Sequence, residues 1–222
     1  MSFSPSSRAR LTGHDVERFA GDTLFDRIGR AVCAAGVLPR RELFEAWEVA
    51  RRVRRRFKGG RIIDIAGGHG LLAQVLLLLD RSSRGAVVVD RVLPASHVAV
   101  HAALVAAWPH LAGAVTFVEA DLGTVSLESD DLVVSSHACG ALTDAVLARA
   151  VAARARVAVL PCCHVVPRSG VDAIAGWVDD ALAMDIRRAV QLEREGYRVW
   201  TQHIPDTITS KNRLLLAEPS PA

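Results

Sequence analysis

Residues 161–164 read Pro-Cys-Cys-His and close an apolar run, VAVLPCCH, while residues 137–140 read His-Ala-Cys-Gly and close another, DLVVSSHACG. Cys139, Cys162 and Cys163 lie in these stretches beside His137 and His164, and Cys33 stands apart. Such a set could form a disulfide, bind zinc, supply a nucleophile or base, or simply pack. A disulfide between Cys162 and Cys163 is disfavoured, because the eight-membered ring strains the peptide between adjacent cysteines. Nor do four cysteines in a chain with so large a core make a disulfide scaffold. Zinc is permitted by the residue types, but adjacent cysteines are an unusual ligand spacing, and no metal is assigned. Three readings stay open: a substrate cleft in which His137 or His164 orients a reactant or removes its proton, with Cys139, Cys162 and Cys163 around it; a zinc site; and compact packing.

A second set begins at DIAGGHG, Asp64 to Gly70. Glycines there let the backbone turn tightly and approach a ligand, and the helix that follows presents its amino terminus. Gly68, Gly70 and Ala73 satisfy the spacing G-x-G-x-x-G/A of a dinucleotide fold, with Asp90 twenty residues after Gly70 where a ribose-binding acid belongs. Asp121 closes VTFVEAD and adds a third acid. His69 reads as a loop side chain, and Asp144 as helix surface.

The elements that must position these residues follow from the apolar rhythm. Residues 1–20 are polar and turn-rich and read as a loosely ordered arm; two helices are expected over about 22–57, broken between Gly36 and Pro39. Short Val- and Ile-rich runs then alternate with helical segments: strands at 61–66, 85–90, 114–121, 131–138 and 156–163, with helices between most of them. That alternation argues a parallel sheet covered on both faces. A long helix over about 171–194 leads to YRVWTQHI (197–204) and RLLLAE (213–218), whose short link requires antiparallel pairing. The fold class is α/β, a Rossmann-like seven-stranded, mostly parallel sheet with an antiparallel C-terminal hairpin, preceded by N-terminal helices. Residues 1–57 are expected to form a substrate-side cap and 58–222 the ligand-binding domain. In such a sheet, ligands bind beyond the carboxyl ends of the strands, where both sets of residues fall.

A chain of 222 residues, 50% hydrophobic, supports one well-buried core. Its longest apolar run, LLAQVLLLL, is too short to span a membrane, and the amino terminus lacks the apolar core of a secretory signal; the expected location is cytoplasmic. Net charge is only +3, but RRVRRRFK at 51–58 places six basic side chains in eight residues. It is either a solvated helix end that complements the macrodipole or an electrostatic footprint for RNA.

The turn DIAGGHGLLA, the tail hairpin and the pair HACGALTD and PCCH resemble the class I S-adenosylmethionine (SAM) methyltransferases, in particular the group that includes tRNA ribose 2′-O-methyltransferases, in which a Lys-Asn-Arg such as Lys211 to Arg213 opens the last strand. The resemblance covers about residues 55–218. It implies SAM as cofactor, with Asp64, Ala66, Gly67, Gly68 and Gly70 cradling its methionine end, Asp90 accepting from the ribose hydroxyls, and Asp121 with Leu122 meeting adenine. Ala66 stands where the first glycine of the pattern usually does, and the cysteine- and histidine-rich finger of the tRNA enzymes is missing. His137 and His164 would act as catalytic groups, with Cys139, Cys162, Cys163, Lys211 and Arg213 on the substrate side. The expected partners are SAM and a methyl acceptor, RNA or a small molecule. The alternatives are an NAD-dependent oxidoreductase using the same turn and a non-catalytic RNA-binding module.

Overall fold

The computed structural model describes residues 3–162, 174 and 176–221. In chain order it comprises α1 (Leu24–Ala35), α2 (Arg40–Arg56), β1 (Arg61–Ile65), α3 (Leu71–Leu79), β2 (Gly85–Asp90), α4 (Ser96–Ala107), β3 (Val115–Glu119), β4 (Leu132–Ser135), α5 (Ala141–Ala152), β5 (Arg156–Val159), α6 (Asp180–Arg194), β6 (Tyr197–His203) and β7 (Arg213–Pro219). The seven strands form one sheet in the order β3-β2-β1-β4-β5-β7-β6. The first five are mutually parallel; β7 runs antiparallel to β5 and to β6.

Alternation along each strand divides the core. Ile62, Val88, Leu132, Val134, Ala158 and Leu216 pack with α1 to α4 on one face. Ile63, Ile65, Val89, Val133, Val157 and Leu215 pack with α5 and α6 on the other. Both faces of the central parallel strands are covered, so β4 is buried at every position and β1 and β5 at all but their first residue, whereas the edge strand β3 buries only Val115. The N-terminal helices share the first core: Ile28, Val32, Val49 and Val53 are fully buried with Leu72 and Leu76 of α3.

Three differences from the sequence reading have physical causes. Residues 3–20 are not a loose arm. A 3-10 helix over Gly13–Phe19 follows a capping box at Thr12 and Asp15, Leu11 and Phe19 are fully buried, and Arg10 bridges to Pro39. Single apolar residues among polar ones anchor the segment without any periodicity to announce them. The last long helix starts later than expected, at Asp180, where the Asp179 side chain accepts from the Leu182 N–H as an N-cap, and Gly176 and Trp177 form a turn before it; positions 171–173 lie outside the described residues. Finally, β4 ends at Ser135 and β5 at Val159, so His137, Cys139 and Cys162 stand on loops beyond the ladder.

Candidate functional site

At the carboxyl end of β1 the chain turns through Ala66, Gly68 and Gly70 with φ of 53°, 51° and 70°. Left-handed backbone at an alanine is uncommon and strained, which accounts for the usual preference for glycine at that position. A Cβ on Gly67 would lie 2.8 Å from Asp64 Cγ and from Val88 Cγ1, so the turn can lie on the sheet only without one. Beneath it Asp64 is 1% exposed. One carboxylate oxygen accepts from the Ala73 N–H in the first turn of α3, at 3.3 Å, and the other has no partner. Burial pushes this carboxyl up from 3.8 to about 7, with the Ala73 N–H opposing and the Asp90 charge adding to the rise.

Asp90, at the end of β2, accepts from the Gly68 N–H at 3.0 Å and from its neighbour Arg91 N–H at 2.8 Å, fixing the glycine turn from the side. Asp90 opens into a cleft of about 420 Å³ together with Ala66, Asp121, Leu122, Leu142 and Arg149. Of the residues named from the resemblance, Ala66, Asp90, Asp121 and Leu122 line this cleft, and Gly68 and Gly70 belong to the turn above it. Gly67 and Asp64 are buried behind them as support. Asp121 pairs with Arg91 at 3.0 Å, but both side chains are mostly in solvent, where such a pair is easily exchanged for another partner. Arg149 donates to the carbonyls of Gly123 (2.8 Å) and Val125, anchoring the loop that carries Leu122; sequence reasoning gave it no role.

The second group of residues forms the neighbouring wall. Ser135 donates to the Ile65 carbonyl at 2.6 Å and accepts from the Ala138 N–H at 3.1 Å, so the end of β1 and the loop carrying His137 are tied together. Arg188 of α6, buried, grips the Gly140 carbonyl at 3.2 Å and forms ion pairs with Asp144 and Asp185. Asp144, read from the sequence as helix surface, is thus committed to α6 through Arg187 and Arg188. Cys139 Sγ and Cys162 Sγ approach to 2.8 Å across the ends of β4 and β5, so the two strand ends do converge. Cys163 and His164 lie outside the described residues. Among the described residues, no three His, Cys, Asp or Glu side chains cluster as metal ligands.

A contact absent from the sequence reading completes this wall. Glu42, in the first turn of α2, meets His69 Nε2 at 2.6 Å, and His69 Nδ1 accepts from the Leu71 N–H at 3.2 Å. His137 is half-buried and feels Glu42, His69, Arg41 and Asp90; burial pushes its pKa down, Glu42 opposes this, and the net direction is downward. Burial also disfavours charge on Glu42, but the His69 hydrogen bond and the nearby imidazoles outweigh it and hold the carboxyl below its ordinary range.

Lys211 and Arg213 stand where the last strand begins, beyond the paired end of β5. Lys211 is exposed, while Arg213 Nε is engaged with Asp185 at 2.7 Å. The basic run at 51–58 is not a continuous charged face. Arg51 and Arg52 pair with Glu48, Arg54 is buried against Asp80, and Arg56 lies over the Trp200 ring at 4.2 Å. No helix among the described residues is long and apolar enough to cross a membrane.

A parallel sheet with a glycine turn, an acid at the end of β2 and an antiparallel β7 inserted beside β5 defines the Rossmann-like methyltransferase fold; the all-parallel dinucleotide order 3-2-1-4-5-6 is different. Residues 43–166, more than half of the chain, match the family described as methyltransferase domain, and the chain belongs to that family. Comparison with curated proteins finds no match. Among solved structures, an O-methyltransferase family protein from Burkholderia thailandensis aligns with a TM-score of 0.52 at 18% identity, over 96% of this chain and 64% of that one. The m1A22 tRNA methyltransferase TrmK of B. subtilis aligns with a TM-score of 0.50 at 14% identity, over 78% of this chain and 65% of that one. TrmK of M. capricolum, solved with S-adenosylhomocysteine (SAH), aligns with a TM-score of 0.50 at 12% identity, over 77% and 67%. The chain thus spans slightly less than two thirds of the first two relatives' length, and at these identities the likeness is one of fold.

Proposed function

We propose that the chain is a SAM-dependent methyltransferase whose cofactor occupies the cleft between the glycine turn and Leu122. The observation that carries this reading is Asp90: it holds the turn through the Gly68 N–H and also lines the cleft. The donor and acceptor set fits the cofactor. Carboxylates make strong charge-assisted hydrogen bonds with hydroxyl, amino and ammonium donors, which suits Asp90 to ribose hydroxyls and Asp121 to an adenine amino group, with Leu122 supplying an apolar surface for the ring. A buried Asp64 oxygen with no partner beside the turn fits a place prepared for a donor. When bound, SAM supplies an electrophilic methyl group on a sulfonium.

The residues' part in such a displacement is proximity, alignment and exclusion of water. Ala66 to Gly70 set the floor, and the loop from Ser136 to Cys139 and the amino end of α2 form the adjoining acceptor wall. The relatives act on different acceptors: one is named for mitomycin 7-O-methylation and another for tRNA. A small-molecule acceptor is the better reading here, because Arg51, Arg52, Arg54 and Arg56 already have partners within the chain. Residues 1–57, in this reading, cap the substrate side through Glu42.

Calorimetric titration with SAH, with NAD in parallel, tests the proposal. SAH should bind and NAD should not. Asp90→Ala removes a charged acceptor and the anchor of Gly68, and should weaken SAH by roughly 100-fold, the effect of about 2 to 3 kcal/mol. NAD binding alone, or SAH affinity indifferent to Asp90, would overturn it.

A further inference from the structure

The loops that follow β4 and β5 leave neighbouring parallel strands and bring two thiols together, with Cys139 Sγ and Cys162 Sγ 2.8 Å apart. Each side of this contact is held by backbone that the fold fixes independently. The Leu160 N–H donates to the Ser135 carbonyl at 2.9 Å, which keeps the two chains in step one residue beyond β5, and Pro161 then restricts the approach to Cys162. On the other side, the Ala138 N–H donates to Ser135 Oγ, and the Ala138 carbonyl accepts from Thr143 Oγ1 at 2.5 Å. The Cys139 carbonyl accepts from the Leu142 N–H at 3.1 Å, and the Gly140 carbonyl is gripped by Arg188. A disulfide needs its sulfurs about 2.05 Å apart, so closing the bond asks the two side chains for a movement of less than about 1 Å and leaves the strands in place.

Exposure separates this pair from Cys33. Cys139 is open to solvent and Cys162 partly so, whereas Cys33 is 1% exposed in the N-terminal core, where burial pushes its thiol up to about 11. A thiol reacts as its thiolate and only where a reagent can reach it, so oxidation is directed to the strand ends. Among the described residues, no third His, Cys, Asp or Glu joins the two sulfurs as a metal ligand. We propose that Cys139 and Cys162 form a reversible dithiol–disulfide pair, closed by hydrogen peroxide and reopened by a dithiol, that clasps the loop of residues 136–139 to the end of β5. The chemistry of the pair is independent of the cofactor; its place on the acceptor side rests on the methyltransferase reading above. The Cys139 thiolate attacks one oxygen of the peroxide, the O–O bond breaks with its electron pair leaving on the other oxygen, and the sulfur becomes a sulfenic acid. The Cys162 thiolate then attacks that sulfur and displaces its hydroxyl group. The S–S bond forms, the two thiols lose two electrons and two protons, and the peroxide is reduced with them to two molecules of water. Such a pair senses oxidant in a compartment that otherwise keeps thiols reduced, and it is not a folding scaffold.

Peptide mapping tests this on reduced protein that has been treated with a small excess of hydrogen peroxide, quenched in acid, denatured and alkylated, with and without later dithiothreitol. The expected product is one intramolecular bond between the peptides that carry Cys139 and Cys162, lost on reduction, with Cys33 still alkylated. Because Cys163 adjoins Cys162 in the chain, two variants assign the bond: Cys163→Ser should keep it and Cys162→Ser should abolish it. Amide hydrogen exchange of residues 137–140 should slow about tenfold on oxidation, because a clasped loop opens less often. SAH affinity should be the same in both forms, since Asp90, Asp121 and Leu122 follow β2 and β3, across β1 from the ends of β4 and β5. Two intact thiols after peroxide, a bond between two molecules, a bond that survives in Cys162→Ser, or exchange unchanged by oxidation would each overturn the proposal. Loss of SAH binding on oxidation alone would overturn the clasp's place outside the cofactor cleft. Failure of both forms to bind SAH sinks the cofactor assignment and leaves the thiol pair standing.

Discussion

Asp64 is a buried acid with one oxygen accepting from a backbone N–H and the other lacking a partner. Its folded pKa, about 7, is above the ordinary 3.8. Folding therefore favours its protonated form: the associated stability is fully present below about 4 and is lost as pH rises through about 7. Relative to wild type, Asp64→Asn should gain stability across that window, by a few kcal/mol in order of magnitude, as read from urea denaturation at a series of pH values. Parallel curves for the two proteins would contradict the assignment. At the residue scale the places of the glycine turn, Asp90 and Asp121 were legible, because each closes or follows an apolar run, and Asp64 lies within the first such run, in β1. Glu42 was not. Nothing in PRRELFEAWEVA separates it from the other charges of an amphipathic helix, and its partner is 27 residues away. The arginine run of α2 showed its partners only in part: Glu48 lies one turn from Arg51 and Arg52, whereas Asp80 and Trp200, which meet Arg54 and Arg56, lie far along the chain.

Among the elements, α2 depends most on a single side chain. Arg54 is 3% exposed and reaches Asp80 at 3.2 Å, the Leu76 carbonyl at 3.1 Å and Ser83 at 2.6 Å, so it fastens α2 to the end of α3 and the turn beyond. Burial pulls its pKa down to about 10, which still leaves it charged at neutral pH. Arg54→Met leaves Asp80 without its cation and should cost about 3 kcal/mol, measured by chemical denaturation; a loss below about 0.5 kcal/mol, typical of an exposed pair, would show that the contact is dispensable. The parallel strands and the helices between them could be read along the chain from the Val- and Ile-rich runs, because a sheet covered on both faces needs apolar strands; their order across the sheet could not. Element ends could not: Asp179 stops α6 from extending back through residues 176–178 by capping Leu182, a local bond that an amphipathic pattern does not contain.

At the scale of the whole molecule, the sheet brings the glycine turn, the Asp90 cleft and the loop of His137 to one edge, while the N-terminal helices, sharing a core with α3, carry Glu42 to the same place. The seven-stranded, mostly parallel sheet and the terminal antiparallel hairpin were expected from the sequence; the packed N-terminal segment was not, because Leu11 and Phe19 act singly. A groove between α5 and α6, lined by Leu147, Arg188 and Leu192, offers about 490 Å³ on another part of the molecule and so provides an internal comparison. The most direct test of the central claim is a crystal structure of the protein with SAH. The expected result is ribose hydroxyls on Asp90, adenine between Asp121 and Leu122, and sulfur directed toward the wall of Glu42, His69 and His137. SAH seated in the α5–α6 groove, or with its ribose away from Asp90, would contradict it.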